Sequence, residues 1–427
     1  MANNYQSNIN NKLLKSFIKG FESNTVLTNT VSKQLVNDID ASTGGAGTPV
    51  SMKRPPQYVP QRSSDGDMSS KNTNPVKTGK VSAKVSDNGY ITVFVENSQV
   101  EEALEADQLN ELLMPIAEDM VTTLESELAL FMSANASLVS GDADIAINKW
   151  SDIAQPGALF KEIGAPAGKR YAAISSFDEV ELADLQTQLG VNPNVNEAWA
   201  GAVVKEKFAG FNQVMTTNNL AEYTSGSPGT GITVAATPAA TYAAYKDTYQ
   251  MSIALTGLTA TTGTLKAGQQ LSFPSSLLLN MRNRKVIRKG GAGVAFTGTV
   301  LADVTADGSG NATVLISGAA INEAAEEGAF NTVDAPITSG DTVTVLGTAA
   351  TTYRPALAYC EGFVGMGSVV LPKLHATDSS IINYKGISIR VHKFSDGVTN
   401  TNKYRFDLLP TFACFNPSWG QQLFGTA

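Results

Sequence analysis

Residues that commonly do chemistry are few in this chain of 427 residues. The only histidines, His375 and His392, stand seventeen residues apart, with no Cys or His at ligand spacing. This pattern argues against a zinc site and against a histidine-based catalytic triad. The only cysteines, Cys360 and Cys414, lack CxxC spacing and indicate no disulfide framework, which is typical of folding in a reducing cytoplasm.

Three glycine-rich stretches could hold a nucleotide, and each fails on spacing. The run from Gly164 to Arg170 (GAPAGKR) is one residue short of a phosphate loop and has Arg where Ser or Thr must contact magnesium. The runs from Gly362 to Gly367 and from Gly290 to Gly293 lack the dinucleotide pattern after a strand. We interpret all three as turns and expect no cofactor, no metal and no catalytic residue.

Carboxylates concentrate in one region that has no lysine or arginine. Its members are Glu101, Glu102, Glu105, Asp107, Glu111, Glu118, Asp119, Glu125 and Glu127. They occupy the approach and the exposed side of a predicted helix, and no general acid–base pair stands out among them. A solvated face and a docking surface are equally compatible with this pattern.

Basic residues concentrate in two places. An excursion from Gly44 to Lys80, rich in Gly, Pro, Ser and Asn, carries Lys53, Arg54, Arg62, Lys71, Lys77 and Lys80. Its prolines exclude a helix, and ordered loops of this length are usually functional. The second place is a dense run with Arg282, Arg284, Lys285, Arg288 and Lys289. No aromatic residue interleaves there for base stacking, so a salt-bridged or subunit-facing patch is favoured over a nucleic-acid contact.

The overall composition indicates a protein that buries part of its surface against other copies of itself. Charged residues make up 16% of the chain, against roughly 25% in typical soluble domains. The 31 basic and 39 acidic residues give a net charge of −8, which disfavours general nucleic-acid binding. No stretch approaches 18 apolar residues, so we expect neither secretion nor membrane insertion.

Hydrophobic periodicity predicts the elements that position these residues. We expect a short amphipathic helix from Leu13 to Phe21, strands at Tyr90–Val95, Lys169–Ser175 and Phe208–Thr216, a long helix from about Gln108 to Phe131, and a helix at Ser176–Leu189. Pro115 is expected to kink the long helix or to start a second segment. Glu179 stands at capping-box spacing from Ser176.

Short strands with regular turn signals then predict a separate β domain. Strands are expected at Gln250–Leu255, Gln270–Phe273, Val294–Val300, Ala312–Ile316 and Thr342–Leu346, forming a small barrel or sandwich. Mixed α and β patterns resume after Thr352, with strands at Gly386–Lys393 and Tyr404–Phe415. We therefore expect a β domain inserted into a discontinuous parent domain.

Several local motifs and the order of segments resemble the major capsid proteins of tailed bacteriophages. The resemblance is to the branch in short-tailed enterobacterial phages that carries an inserted β-barrel domain. The motifs are Phe208-Ala-Gly-Phe211, Thr230-Gly-Ile-Thr-Val234, the stretch from Thr261 to Phe273, and the ending from Asn416 to Ala427.

The resemblance implies an α+β, Hong Kong 97-like capsid fold. It divides the chain into an N-terminal arm (1–43), an extended loop (44–85), a capsid core of peripheral and axial domains (86–221 and 353–427) with a spine helix at about 101–133, and the inserted domain (222–352). Between Val234 and Tyr249 the chain carries only Lys246 and Asp247. Members of the family have a longer polar loop there that bridges neighbouring subunits.

By the same resemblance, the chain builds an icosahedral shell around the phage genome and has no enzymatic role. The implied partners are further copies in hexamers and pentamers, a scaffolding protein, a portal and non-specifically packaged DNA. The implied location is the virion, after assembly in the bacterial host cytoplasm. Two alternatives stay open: a tail or sheet-forming assembly protein, and an enzyme with an accessory β domain, which a pocket holding two carboxylates with perturbed pKa values would favour.

Overall fold

The computed structural model describes residues 17–21, 25–33, 50–54, 56–69, 71, 76–83, 89–96, 109–166, 168–187, 207–324, 328–372, 378–384, 386–396 and 401–426. Two compact units divide the chain. The first comprises residues 1–52, 82–129 and 364–413, and the second comprises residues 53–81, 130–363 and 414–427. No helix in the described part is long and apolar enough to cross a membrane.

The chain is rich in short strands and has three helices of more than two turns among the described residues. The helices are α1 (Leu109–Asn135), α2 (Trp150–Ile163), α3 (Ser176–Thr187) and the single turn α4 (Tyr242–Tyr245). The strands are β1 (Val50–Lys53), β2 (Lys80–Ala83), β3 (Ile91–Glu96), β4 (Leu138–Ser140), β5 (Arg170–Ile174), β6 (Gln213–Thr216), β7 (Tyr223–Thr224), β8 (Thr233–Val234), β9 (Gln250–Thr256), β10 (Thr264–Leu265), β11 (Gln270–Leu277), β12 (Arg288–Lys289), β13 (Ala292–Gly293), β14 (Ala295–Val300), β15 (Val304–Thr305), β16 (Ala312–Ser317), β17 (Thr344–Val345), β18 (Thr352–Tyr353), β19 (Ala356–Cys360), β20 (Val364–Ser368), β21 (Asp378–Tyr384), β22 (Ile387–Asp396), β23 (Thr401–Leu408), β24 (Pro410–Cys414) and β25 (Gly420–Leu423).

The long helix predicted from the sequence is confirmed as α1. Its 27 residues correspond to a rod of about 40 Å. Leu113, Met120, Leu124 and Leu128 are all buried, as their spacing on one helical face predicts. The helix runs through Pro115 without a break. Pro115 is the seventh residue of this helix, so it removes one interior backbone hydrogen bond, and the helix continues past it.

A four-stranded antiparallel sheet organises the first unit. Its strand order is β21-β22-β23-β3, and β20 pairs with β24 in a separate two-stranded sheet. Residues 17–21 are helical, and the ring of Phe17 stacks on that of Phe406 with centroids 4.9 Å apart. The part of the predicted amphipathic helix before residue 17 lies outside the described residues.

A five-stranded mixed sheet lies in the second unit, with the order β4-β25-β19-β5-β6. The pairs β4–β25 and β5–β6 are parallel, and the inner pairs are antiparallel. Helix α2 packs on this sheet, and Phe160 and Ile153 on its inner face are fully buried. The sheet thus has β4 at one edge and β6 at the other.

The strands predicted between Gln250 and Leu346 lie in a small barrel. Six antiparallel strands run in the order β17-β11-β14-β16-β9-β8. A bridge between Thr233 and Thr342 joins the two ends of this order, so the sheet closes on itself. The barrel interior belongs to one hydrophobic cluster that also includes Ile153 and Phe160 of α2.

A buried polar seam joins the end of α1 to the barrel within the second unit. Thr297 Oγ1 donates to the carbonyl oxygen of Ser137 at 2.7 Å, and Ser317 Oγ donates to that of Asn135 at 2.8 Å. Thr299 Oγ1 donates to the carbonyl oxygen of Ala136. The Asn135 carbonyl ends α1, where the last carbonyls have no partner within the helix, and those of Ala136 and Ser137 follow it. Barrel side chains therefore satisfy groups that burial would otherwise leave unpaired.

Three sequence predictions need local correction. The strand expected at Phe208–Thr216 is shorter, since β6 begins at Gln213 after a turn with left-handed residues at Ala209 and Gly210. The single strand expected at Tyr404–Phe415 is two strands, β23 and β24, separated at Leu409. The capping box of α3 is one residue earlier than predicted.

The observed capping pair of α3 is Ser175 and Asp178. Ser175 Oγ accepts from the backbone N–H groups of Phe177 and Asp178, at 3.2 and 3.3 Å. The Asp178 carboxylate accepts from the Ser175 N–H at 3.2 Å. Because the two serines are adjacent, each with an acidic residue three positions later, the pattern in the sequence could not distinguish them.

Candidate assembly surfaces

The first surface is the docking of an N-terminal segment, residues 25–33, on helix α1. The Glu125 carboxylate accepts hydrogen bonds from the backbone N–H groups of Val26, Leu27 and Thr28, at 3.2, 2.7 and 2.9 Å. These residues begin a 3-10 turn at Leu27–Asn29. Ser32 then exchanges backbone hydrogen bonds with β20. Glu125 therefore fixes where the segment lies.

This contact corrects the placement of Glu125 on the exposed side of the helix. Glu125 is 0% exposed, so its carboxylate contacts its own chain rather than solvent. Burial raises the pKa of Glu125, and the hydrogen bonds from residues 26–28 oppose that increase. Sequence reasoning missed this role because the partners of Glu125 are backbone groups nearly one hundred residues away.

The second surface is the base of the extended loop, where Arg54 packs on residues before β9. The Arg54 guanidinium lies 4.2 Å from the ring centroid of Tyr249, and its Nη2 donates to the Asp247 carbonyl oxygen at 3.2 Å. Arg54 is only 6% exposed. Tyr249 has a left-handed backbone with φ of 53°. This conformation is costly for a bulky residue and is held in place by the surrounding contacts.

The return strand of the loop contacts the same region. The Lys80 N–H donates to Asp247 Oδ1 at 3.0 Å, and the Arg54 N–H donates to the Gly79 carbonyl oxygen at 2.8 Å. A Cβ atom at Gly79 would collide with the backbone carbonyl of Lys246. Glycine at position 79 therefore allows the close approach of two backbones.

Glu323 completes this anchor from the barrel side. Its carboxylate forms an ion pair with Lys77 Nζ at 3.2 Å and accepts from the Tyr242 N–H at 3.1 Å. The side chain of Glu323 is only 9% exposed. The segment from α4 to Tyr249 lies in the stretch where members of the family have a longer polar loop, and here it holds the extended loop of its own chain. We call these contacts the loop anchor: Arg54, Lys77, Gly79, Lys80, Asp247, Tyr249 and Glu323.

The loop anchor changes which loop cations face outward. Arg54 is buried and Lys77 is half-buried in an ion pair, so both have partners in their own chain. Lys53, Arg62, Lys71 and Lys80 have exposed side chains. Arg54 and Lys77 therefore find their partners outside the loop, at Asp247, Tyr249 and Glu323 of the same chain.

On the acidic side, the described residues also divide into two groups. Glu118 and Asp119 are exposed on α1, whereas Glu127 is partly buried. Burial raises the pKa of Glu127. The residues Glu101, Glu102, Glu105 and Asp107, and the side chain of Glu111, lie outside the described part of the chain.

The basic run near residue 282 forms a turn and a hairpin beside the barrel. Arg284 is half-buried and donates to the carbonyl oxygens of Gly328, Ala329 and Tyr58. Its role is therefore structural, because it ties the run to neighbouring backbone. Arg282 and Lys285 are exposed, as are Arg288 and Lys289 on the hairpin of β12 and β13.

One cavity of about 330 Å³ is lined by two carboxylates, Asp144 and Asp178. A pocket of this kind is the feature that would favour an enzyme. Asp144 accepts from the hydroxyls of Tyr353 and Thr348, and these hydrogen bonds lower its pKa. Burial raises the pKa of Asp178, the residue that caps α3. Both carboxylates thus have structural partners, and the cavity needs no catalytic interpretation.

Of the remaining reactive side chains, Cys360 and His392 are buried and Cys414 is partly buried. Burial raises the pKa of the Cys360 thiol to about 11 and that of Cys414 to about 12. His392 is buried on β22 next to Phe394, and His375 lies outside the described residues. In the described part of the chain, no three His, Cys, Asp or Glu residues form a group that could hold a metal ion.

Comparison with known proteins identifies the family. The family model described as P22 coat protein, gene protein 5, matches residues 1–425. The chain belongs to the P22 coat protein family. It is 42% identical over 428 residues to the major capsid protein of Acyrthosiphon pisum secondary endosymbiont phage 1, and the match covers 100% of both proteins.

Solved capsid structures resemble this coat protein more distantly. The capsid of Cyanophage P-SCSP1u is 11% identical, with 93% of this chain and 86% of that chain covered and a TM-score of 0.41. The mature capsid of bacteriophage PhiM1 is 9% identical, with the same coverage and a TM-score of 0.41. The family assignment rests on the family model and the full-length relative.

Family membership confirms the resemblance inferred from the sequence. This coat protein is a structural, shell-forming protein of the virion, and its fold combines α-helices with several β-sheets. The family's role is structural. Multiple copies must contact one another in such a shell, so the exposed surfaces of each copy are candidates for these contacts.

Proposed function

We propose that this coat protein assembles into hexamers and pentamers that close into an icosahedral shell around the phage genome. The observation that carries the proposal is the match of residues 1–425 to the coat protein family. Assembly takes place in the bacterial host cytoplasm, with a scaffolding protein and a portal protein as partners. Packaged DNA is contacted only non-specifically, and the net charge of −8 means that any such contact is weak. The protein performs no catalysis.

The test is co-expression with the scaffolding and portal proteins of the same phage. We expect uniform closed shells by electron microscopy with all partners present, and irregular or open products without the scaffolding protein. Identical products with and without the scaffolding protein would contradict the proposed partner. Expression of a scaffolding variant that folds but does not bind the coat protein provides the matched control.

The inserted domain at 222–352 is proposed to be an independent folding unit within this architecture. Its support is the closed barrel, whose six strands all lie between Thr233 and Val345. A segment of about 130 residues is large enough to bury its own core. We expect the excised segment to unfold cooperatively on heating, with dispersed amide resonances. A broad, non-cooperative transition would show that the barrel depends on the rest of the second unit.

The extended loop is proposed to contact the acidic side of a neighbouring copy. The cations that support this contact are Lys53, Arg62, Lys71 and Lys80, and the described acidic residues are Glu118 and Asp119. Each exposed pair contributes only about 0–1 kcal/mol, so the effect needs repetition over many interfaces. Assembly should weaken with salt. Arg62→Glu with Lys71→Glu should lower shell yield, whereas unchanged yield and salt dependence would overturn the contact.

A further inference from the structure

Helix α3 presents an apolar patch with an acidic border. Phe177 is 82% exposed and Val180 is 52% exposed. Glu181 and Asp184 are also exposed and lie on the same face, since they follow at helical spacing. Leu182 and Ala183 on the other side are buried. An adjacent exposed phenylalanine and valine, bordered by charge, are typical of a contact surface.

A groove elsewhere in the second unit is complementary to this patch, because it is apolar and bordered by basic residues. It lies between α2 and the hairpin of β12 and β13, has a volume of about 310 Å³, and is lined by the apolar residues Val139, Leu159, Ile287 and Val294. Arg288 and Lys289 line it as well, opposed by the single carboxylate of Glu162. Lys289 Nζ donates to Gln155 Oε1 at 2.7 Å, a neutral amide rather than a carboxylate.

The patch and the groove lie toward opposite edges of the same five-stranded sheet. Val139 and Ser140 of the groove belong to β4, which is one edge. Helix α3 begins directly after β5, which pairs with the other edge strand, β6. Complementary surfaces at opposite edges of one unit allow copies to join head to tail, and such contacts can close into rings.

We propose that the α3 patch of one copy occupies the groove of the next copy. Phe177 packs against Leu159, Ile287 and Val294 of its neighbour, and Glu181 and Asp184 lie near its Arg288 and Lys289. A second copy is the occupant because the groove and the patch match in both polarity and charge and are carried by one shell-forming chain. The inference rests on shell building and adds the surfaces by which subunits recognise each other.

Exposed substitutions test the contact without disturbing the core. Phe177→Ala should leave the sedimentation coefficient and melting temperature of the unassembled subunit unchanged and raise the concentration needed for assembly roughly tenfold or more. Leu315→Ala, at an apolar residue on β16 that is 38% exposed, is the matched control and should assemble normally. Normal assembly of Phe177→Ala would overturn the proposal.

Charge reversal tests the pairing itself. Glu181→Lys and Lys289→Glu should each reduce shell yield, and the double variant should recover most of it, because the two reversed charges again attract. A double variant no better than the worse single variant would overturn the pairing of these residues.

Disulfide trapping decides which surfaces meet. In shells of the double variant Phe177→Cys and Leu159→Cys, oxidation should produce a ladder of covalent oligomers, whereas either single variant should not. Native Cys360 is buried and Cys414 is partly buried, and the single variants control for any oxidation through them. Shells that form without a ladder would overturn this contact alone. Failure of the wild-type chain to form shells would overturn the contact together with the shell-building function.

Discussion

The carboxylate of Glu125 lies 2.7 Å from the backbone nitrogen of Leu27, in the middle of the buried face of helix α1. A buried carboxylate beside Leu124 and Leu128 would destabilise the folded state if it lacked hydrogen-bond partners. Here three consecutive N–H groups compensate it. The N-terminal segment therefore binds the helix through backbone groups at one defined position.

Glu125→Ala should release this segment and destabilise the protein. Hydrogen bonds to a charged group contribute about 1.5–3 kcal/mol, and the variant also leaves buried N–H groups without acceptors. We expect faster hydrogen exchange at residues 26–28 and a lower free energy of unfolding in urea. Glu118→Ala, on the exposed side of the same helix, is the control and should change little. Unchanged exchange at residues 26–28 would contradict the anchoring role.

Arg54→Met should loosen the extended loop while leaving the barrel folded. The substitution retains an apolar stem and removes the cation over Tyr249, a contact worth about 0.5–2 kcal/mol. Limited proteolysis between residues 56 and 76 should become about two- to thirtyfold faster in the unassembled subunit. Arg62→Met, at an exposed cation of the same loop, should be cleaved like the wild type. Equal cleavage of all three proteins would rule out the loop anchor.

Thr297→Val should weaken the seam between the barrel and the end of α1. The variant keeps the shape of the side chain and leaves the buried Ser137 carbonyl without its donor. The expected loss is about 1–3 kcal/mol in the free energy of unfolding, measured with urea. Thr313→Val on the exposed face of β16 is the matched control. A loss no larger than that of the control would mean that this hydrogen bond contributes nothing net.

Asp407 should make the first unit sensitive to acid. Burial alone would raise the pKa of Asp407, but hydrogen bonds from Arg390, Arg405 and Thr92 lower it below its usual value of 3.8. The unfolded chain therefore binds this proton more readily. The stabilisation is complete above pH 3.8 and is lost as pH falls through the lowered pKa.

Asp407→Asn tests that pH dependence. The variant should be less stable than the wild type at neutral pH, and the difference should shrink progressively below about pH 4, the usual range of aspartate titration. Asp303→Asn at the exposed Lys266 pair should cost at most about 1 kcal/mol. A stability difference that stays constant from pH 6 to pH 2 would exclude Asp407 as the titrating group.

Much of the fold could be predicted because its signals are local. The periodic leucines of α1 and the turn-bounded strands of the barrel each occupy a continuous stretch, so periodicity identified them. The first residue of a helix has a weaker signal in the sequence, as the adjacent Ser175 and Ser176 show for α3. Either serine satisfies the capping pattern, and only the backbone geometry selects the first.

The contacts of the assembly surfaces could not be predicted in the same way. Arg54 and Tyr249 are nearly two hundred residues apart, and the partners of Glu125 are backbone groups, which have no sequence signature. Because both side chains are charged, Arg54 and Glu125 were therefore predicted to lie on the surface. The low fraction of charged residues, in contrast, did predict that copies of the chain cover part of its surface.

Electron microscopy of assembled material, supported by sedimentation velocity, tests shell building most directly. The wild-type chain should be expressed with its phage assembly partners, purified, and concentrated at low ionic strength. We expect closed shells of uniform diameter and a fast-sedimenting species that contains the full-length chain. A protein that remains monomeric at every concentration, or that forms only tubes or sheets with all partners present, would contradict shell building.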